Sequence, residues 1–252
     1  MPLSNDFLER LSRQTQLREL GVEKLQRIAD TRFLVIGAGG LGCPAIQYLA
    51  TAGARHLCVA DADIVSLSNL SRQLLHTDAR IGMNKADSAA LAVASMTPHC
   101  RVEAVSEMAV GETLDRLVRE ADIVLDCCDN LATRMAINRA AHRHRKPVVF
   151  GSAIRFDAQI TVFDHRRNDA PCYECVFEPD DAANDVKASA VGVFSPLTGV
   201  AGVLMASEAI KLAADLPTEL IGRFLFMDLA GPRFEFIRYG KRRDCPVCGS
   251  RH

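Results

Sequence analysis

From residue 32 onward, short apolar runs alternate with stretches whose apolar residues recur every three to four positions. The runs RFLVIG (32–37), HLCVAD (56–61), RVEAVS (101–106), DIVLDC (122–127) and PVVFGS (147–152) have the length and β-branched character of strands. Between them, LGCPAIQYLATAG and the segments 84–96, 111–120 and 130–144 carry helical periodicity. Strand and helix alternating at this pitch imply parallel βαβ units covered on both faces. The predicted fold class is therefore α/β, a Rossmann-like, doubly wound and mostly parallel sheet. After Gly151 the rhythm changes. AQITVF alternates, while FLFMDL and FEFIRY read as a pair of strands joined by AGPR around Gly231 and Pro232, so antiparallel strands are expected to extend the sheet. The apolar stretch PLTGVAGVLMASEAIKLAA predicts a helix from about 196 to 214. Before it, EPDDAANDVKASA (178–190) has little periodicity and is expected to be a mobile loop over a site.

Composition narrows the function. At 252 residues and 48% hydrophobic, the chain has enough material for a full core in one domain with appendages. Its 30 basic and 31 acidic residues leave a net charge of −1 and no broad basic footprint, which argues against a nucleic-acid binder. Any phosphate chemistry must then come from local clusters. No apolar run reaches the ~20 residues of a membrane span, and the opening MPLSNDFLERLSRQ is amphipathic and charged, unlike a signal peptide. No membrane partner is expected, and the cytoplasm is the default location.

The segment GAGGLG (37–42) follows a strand and opens a helix, the context a nucleotide-binding turn requires. Glycines let backbone approach phosphates, and the helix N-terminus offers free N–H groups and a favourable dipole. Asp61 closes the next strand, where an acid reaches ribose hydroxyls. These features fit NAD and ATP equally. Downstream, Asn69, Arg72 and Gln73 follow the second strand and Lys85 opens a helix, placing two fixed positive charges within reach of a bound phosphate. DCCDN puts Asp126 and Asp129 at the carboxyl end of the fourth strand, where open α/β sheets bind ligands and a carboxylate can hold Mg²⁺.

Nine cysteines include two C-x-x-C pairs, Cys172 with Cys175 and Cys245 with Cys248. Four thiolates fit a closed tetrahedral zinc site, and thiol–disulfide chemistry is the alternative. Such a site would staple the C-terminal tail beside the polar stretch. Cys43, Cys58, Cys100, Cys127 and Cys128 lie in or near apolar segments and are expected to be packing residues. His142 and His144 show no ligand pattern and are expected to be solvated.

In combination, GAGGLG, DADIVSLSNLSRQ, Lys85, DCCDN and RLSRQ (10–14) resemble the ThiF/MoeB/HesA family of adenylyltransferases, relatives of the adenylation half of ubiquitin-activating enzymes. The resemblance runs from about residue 10 to 249 and implies a single adenylation domain over 1–252. Within it, 1–30 would form a helical arm, 31–155 a nucleotide-binding core and 156–252 a carrier-binding and zinc region. It further implies that Gly37, Gly39, Gly40 and Gly42 cradle the triphosphate and that Asp61 binds ribose. Asn69, Arg72, Gln73 and Lys85 would engage the phosphates, and Asp129 would coordinate Mg²⁺. Arg13 would serve the neighbouring subunit's ATP site in a homodimer, completing a catalytic set with Arg72, Lys85 and Asp129.

The implied reaction is ATP-dependent adenylation of the C-terminal glycine of a small ubiquitin-like sulfur carrier ending in Gly-Gly, ahead of its thiocarboxylation for molybdopterin, thiamine or another thiolated metabolite. The implied cofactors are ATP, Mg²⁺ and Zn²⁺. One departure concerns a loop cysteine that links some relatives to their carrier: Ala188 stands there, and no cysteine occurs between 175 and 245. A separate sulfurtransferase is therefore expected. Two alternatives compete. A NAD(P)-dependent oxidoreductase leaves Arg72, Lys85, DCCDN and the cysteine pairs without a role, and a non-catalytic scaffold binding a ubiquitin-like partner would be expected to lack Arg72, Lys85 or Asp129.

Overall fold

In the computed structural model, residues 2–178 and 191–249 are described. Five strands run parallel: β1 (Arg32–Ile36), β2 (His56–Ala60), β3 (Arg101–Val105), β4 (Ile123–Asp126) and β5 (Pro147–Ile154). Three more extend the sheet antiparallel: β6 (Asp157–Asp164), β7 (Arg223–Asp228) and β8 (Arg233–Arg238). The order is β3-β2-β1-β4-β5-β6-β7-β8. The chain thus builds outward from β1 to β3 and returns to the other side of β1. That reversal leaves a crevice between the carboxyl ends of β1 and β4.

Why β1 has no polar interior position follows from what covers it. Phe33 and Val35 join the core formed with helices α4 (Gly42–Thr51), α5 (Lys85–Met96) and α8 (Ser195–Ala213). Leu34 and Ile36 join the opposite core, formed with α6 (Gly111–Glu120) and α7 (Leu131–His144). Successive strand side chains point to opposite faces, so a strand covered twice is apolar throughout. Three N-terminal helices, α1 (Asn5–Arg10), α2 (Ser12–Thr15) and α3 (Gly21–Asp30), precede the sheet, and Phe7, Leu11, Leu25, Ile28 and Ala29 pack with Ala214 in a small separate core.

Helix α8 is 19 residues long and matches a membrane span in length and composition, although the sequence was expected to contain no such run. It is a core helix: Leu197, Ala201, Met205, Ala206 and Ala209 are fully buried, packed against α4 and the sheet. The expected mobile loop, except for Glu178, and Ala188 lie outside the described residues.

Candidate active site and metal centre

The crevice at the carboxyl ends of β1 and β4 opens into a cleft of about 560 Å³. Its floor is the glycine turn. Gly37 has φ +96°, a left-handed conformation that favours glycine, and a Cβ there would lie 2.8 Å from the Cys127 carbonyl oxygen. At Gly42 a Cβ would sit 1.9 Å from the Gly37 oxygen, so any side chain would force the turn open before α4 begins.

Asp61 secures this turn from the end of β2. One carboxylate oxygen accepts the Ala38 N–H at 2.7 Å and the other the Asp63 N–H at 2.8 Å. Burial pushes its carboxyl above the ordinary range, opposed by the charge of Lys85 and by these N–H donors. His76 braces the same turn from beneath, with Nε2 2.9 Å from the Ala38 oxygen and Nδ1 2.8 Å from Ser88 Oγ. Burial lowers its pKa, favouring the neutral ring.

Asn84 fixes where the cleft's lysine begins. Its side-chain oxygen accepts the Ala86 and Asp87 N–H groups as the α5 cap, while its amide donates to the Asp61 carbonyl at 2.8 Å. Lys85 is therefore the first residue of α5, nearly buried, with Nζ 2.8 Å from the exposed Asp63 carboxylate. Preceding it, the 3₁₀ turn Leu67–Asn69 leads to Arg72, whose Nη1 donates to the Ser68 carbonyl at 3.1 Å. Gln73 is 3% exposed, and its Oε1 has no partner among the described residues. Across the cleft, Asp129 is exposed on the turn between β4 and α7, and Asn130 caps α7 by accepting the Thr133 N–H at 2.9 Å.

A second centre lies apart from the cleft. The sulfurs of Cys172, Cys175, Cys245 and Cys248 all lie within 4.8 Å of one another. Separations of 3.3 Å (Cys175 to Cys248), 3.5 Å (Cys172 to Cys245) and 3.9 Å (Cys172 to Cys175) bracket the ~3.8 Å edge expected of a tetrahedron with Zn–S near 2.3 Å. This donor set fits zinc. The thiols of Cys172 and Cys248 stabilise a Cys175 thiolate and lower its pKa. Supporting donors are present: the Arg242 N–H points at Cys175 Sγ (3.4 Å) and the Asn138 amide at Cys172 Sγ (3.8 Å). Buried Glu174, between the first two cysteines, accepts two bonds from Arg139 at 2.9 and 3.0 Å and one from Asn138 at 3.2 Å, tying the knuckle to α7.

The profile of the ThiF family matches residues 11–247. This chain belongs to the ThiF family. It is 40% identical to adenylyltransferase and sulfurtransferase MOCS3-1 of Drosophila pseudoobscura pseudoobscura, across 98% of this chain and 55% of that protein. Identity to adenylyltransferase and sulfurtransferase MOCS3 of Drosophila willistoni is 42%, with the same coverage of each. The chain thus spans about half the length of these relatives. Among solved structures, E. coli MccB with ATP superposes with a TM-score of 0.83 at 21% identity, covering 95% of this chain and 73% of that one. PaaA superposes at 0.80, also at 21% identity, covering 95% and 76%. At that identity the likeness is one of fold.

In this ThiF-family chain, Gly37, Gly39, Gly40, Asp61, Asn69, Arg72, Gln73, Lys85 and Asp129 all line the one cleft. Gly42 does not line it; its contribution is the close approach to Gly37. Arg13 is also absent from the cleft of its own chain. It is exposed on α2, next to Gln14, whose amide donates to the Ala52 carbonyl at the far end of α4. That ten-residue helix, about 15 Å long, lies between Ala52 and the glycine turn. Asp126, paired with Asp129 by the sequence, is instead 2% exposed beneath the cleft.

Cleft residues that sequence reasoning passed over are Asp63, Asn130, Arg134, Thr198 and the wall formed by Met108, Ala109 and Val110. The second acid of DADIV was a signal for Asp63, and the four-residue spacing from Asn130 was one for Arg134. Of the remaining cysteines, Cys43, Cys100 and Cys127 are buried and Cys58 and Cys128 half-buried, as packing residues should be, and burial pushes Cys43, Cys58 and Cys100 up to about 12. The histidine expectation needs correction: His144 Nε2 sits 3.0 Å from Asp115 Oδ1, and the half-buried His142 ring meets His165 edge-on at 5.5 Å.

Proposed function

We propose that the chain is an ATP-dependent adenylyltransferase acting on the C-terminal glycine carboxylate of a small ubiquitin-like sulfur-carrier protein. The observation that carries this reading is the convergence of Arg72, Lys85 and Asp129 on a cleft floored by the glycine turn. A nicotinamide-dependent hydride transfer would need neither cation nor Asp129.

In this reading the free N–H groups of the turn and the start of α4 receive phosphate oxygens, and Asp61 holds the turn closed while facing the ribose. The carrier carboxylate attacks the α-phosphorus of ATP, the bond to the bridging oxygen breaks, and pyrophosphate leaves with acyl-adenylate as the other product. Negative charge moves onto the leaving oxygens, where Lys85 and Arg72 oppose it. Lys85 is restrained by Asp63 and so keeps its position before substrate enters. Mg²⁺, which Asp129 would hold, supplies further charge neutralisation. No nucleophilic side chain is required.

A slender, side-chain-poor tail suits the approach. Ala153 and Val193 wall the cleft, and residues 192–194 are tied to the β5–β6 turn, with the Arg155 N–H donating to Gly192 at 2.9 Å and the Phe194 N–H to Arg155 at 2.7 Å. The half-exposed Phe156 and Phe194 rings pair at 4.9 Å beside it. Strand β8 is exposed along its whole length, with Phe234 54% and Phe236 59% exposed, which supports a docking face for the carrier's folded part.

The exposure of Arg13 outside the lining of its own cleft supports a homodimer in which it serves the partner's site. Leu67 and Leu74, 69% and 73% exposed on either side of Arg72, supply apolar surface for such an interface. The four cysteines would hold a structural zinc. Because the chain has no cysteine between 175 and 245, the adenylate would be released to a separate sulfurtransferase rather than captured as a thioester. Incubation with Mg·ATP, pyrophosphatase and a Gly-Gly carrier should yield carrier adenylate, read by intact-mass spectrometry. Its absence, with ATP binding intact, would contradict the proposal.

A further inference from the structure

Arg134 lies in the first turns of α7, four residues after the helix cap Asn130, and is only 9% exposed although it borders the cleft. Buried arginine is rare unless paired. Its Nη2 donates to the Cys128 carbonyl at 2.9 Å, and its guanidinium lies 5.1 Å from the centre of the Phe150 ring. Asp126, 2% exposed, provides the counter-charge and accepts both the Cys128 N–H at 3.2 Å and the Cys128 thiol at 2.8 Å. Cys128 is therefore gripped at both ends, its N–H and thiol by Asp126 and its carbonyl by Arg134. The next residue is Asp129, exposed in the cleft.

Asp126 acts on Arg134 through its charge and the two share no direct salt bridge, and buried opposite charges are weak stabilisers because desolvation offsets their attraction. The Tyr173 hydroxyl acts on the guanidinium, yet Arg134 Nε is sealed from solvent with no hydrogen-bond partner among the described residues, a cost that purely stabilising charges would not be expected to keep. What the pair achieves is geometric. It fixes one turn from two directions and aims the residue that follows. With Nε sealed and Nη2 bonded to backbone, Nη1 is the group that a direct phosphate contact would have to use.

We propose that Arg134 is a positioning residue which, with Asp126, preorganises the Asp129 carboxylate to receive the divalent cation of a metal–nucleotide complex. The inference rests on the reading of the cleft given above. Its test is calorimetric ATP binding in Mg²⁺ and in EDTA for wild type, Arg134→Lys, Arg134→Met, Asp126→Asn and the reference variant Asp129→Asn. The wild type gains affinity with Mg²⁺. Arg134→Lys and Arg134→Met lose at least fivefold of that gain while binding ATP in EDTA within twofold of wild type, with circular dichroism unchanged. Asp126→Asn, which keeps the side chain's shape, moves the same way and keeps the test available should the arginine variants fold poorly. Variants that keep the full Mg²⁺ gain would overturn the proposal. So would an equal loss of affinity in Mg²⁺ and in EDTA, the mark of a direct phosphate contact. A wild-type protein that binds no ATP would instead overturn the reading of the cleft itself.

Discussion

Lys85 reaches the cleft because Asn84 ends the preceding loop with a cap and forces α5 to begin there; the residue type and its address are both local facts of the chain. That is why Asp61, Lys85 and the glycines were legible in the sequence. Asp63 and Arg134 were not, because their meaning depends on a partner 22 residues away in one case and on burial beneath a turn in the other. We expect Arg72→Ala, Lys85→Ala and Asp129→Ala each to lower carrier-dependent pyrophosphate exchange at least tenfold, since removing one preorganised charge costs roughly 3 kcal/mol of barrier. Near-normal exchange in all three would discredit the site assignment. His76 makes a pH prediction. Its folded pKa lies below the unfolded value near 6.5, so the unfolded chain takes up the proton first as pH falls. Its contribution to stability therefore declines from about pH 6.5 down to its folded pKa. Denaturation at pH 7 and 5.5 should show a smaller loss for His76→Gln than for wild type; identical losses would assign the pH dependence elsewhere.

Elements divide by what specified them. β1 and β4 were readable as continuous apolar runs because both faces are covered, and the antiparallel character of β6 to β8 because alternation returns after Gly151. Burial of α8 was less legible, since its apolar pattern is nearly uniform around the helix and only packing against α4 and the sheet gives it an inside. The cysteine knuckle was visible as spacing, but its buttress was not: Asn138, Arg139 and Glu174 meet only after α7 is placed beside the turn Tyr173–Cys175. Zinc should copurify at about one ion per chain, the stoichiometry of four thiolates. Cys172→Ser and Cys245→Ser should lose the metal and stability together by elemental analysis and thermal melting, because binding to such a site is coupled to folding. Glu174→Ala should retain all four ligands yet release zinc faster to a chelator. A stable, metal-free wild type would refute the structural role.

At the scale of the whole molecule, the doubly wound order creates the crevice, and the N-terminal arm leaves Arg13 outside its lining. A shared site is tested by coexpressing two inactive variants, Arg13→Ala and Asp129→Ala, with different tags and isolating the mixed dimer. If Arg13 acts on the partner, one of its sites is intact and activity returns; a folded mixed dimer without activity would exclude sharing. During turnover no reducible carrier–enzyme adduct should accumulate by non-reducing mass spectrometry, and an adduct mapped to any cysteine would show that a nucleophile had been missed.

The central claim, adenylation of a Gly-Gly carrier, is tested most directly by ATP–pyrophosphate exchange measured with the carrier, without it, and with the carrier lacking its terminal glycine. The account predicts label exchange only with the intact carrier and Mg²⁺. Exchange independent of the carrier's terminal glycine, or none with any Gly-Gly carrier while ATP still binds, would contradict it.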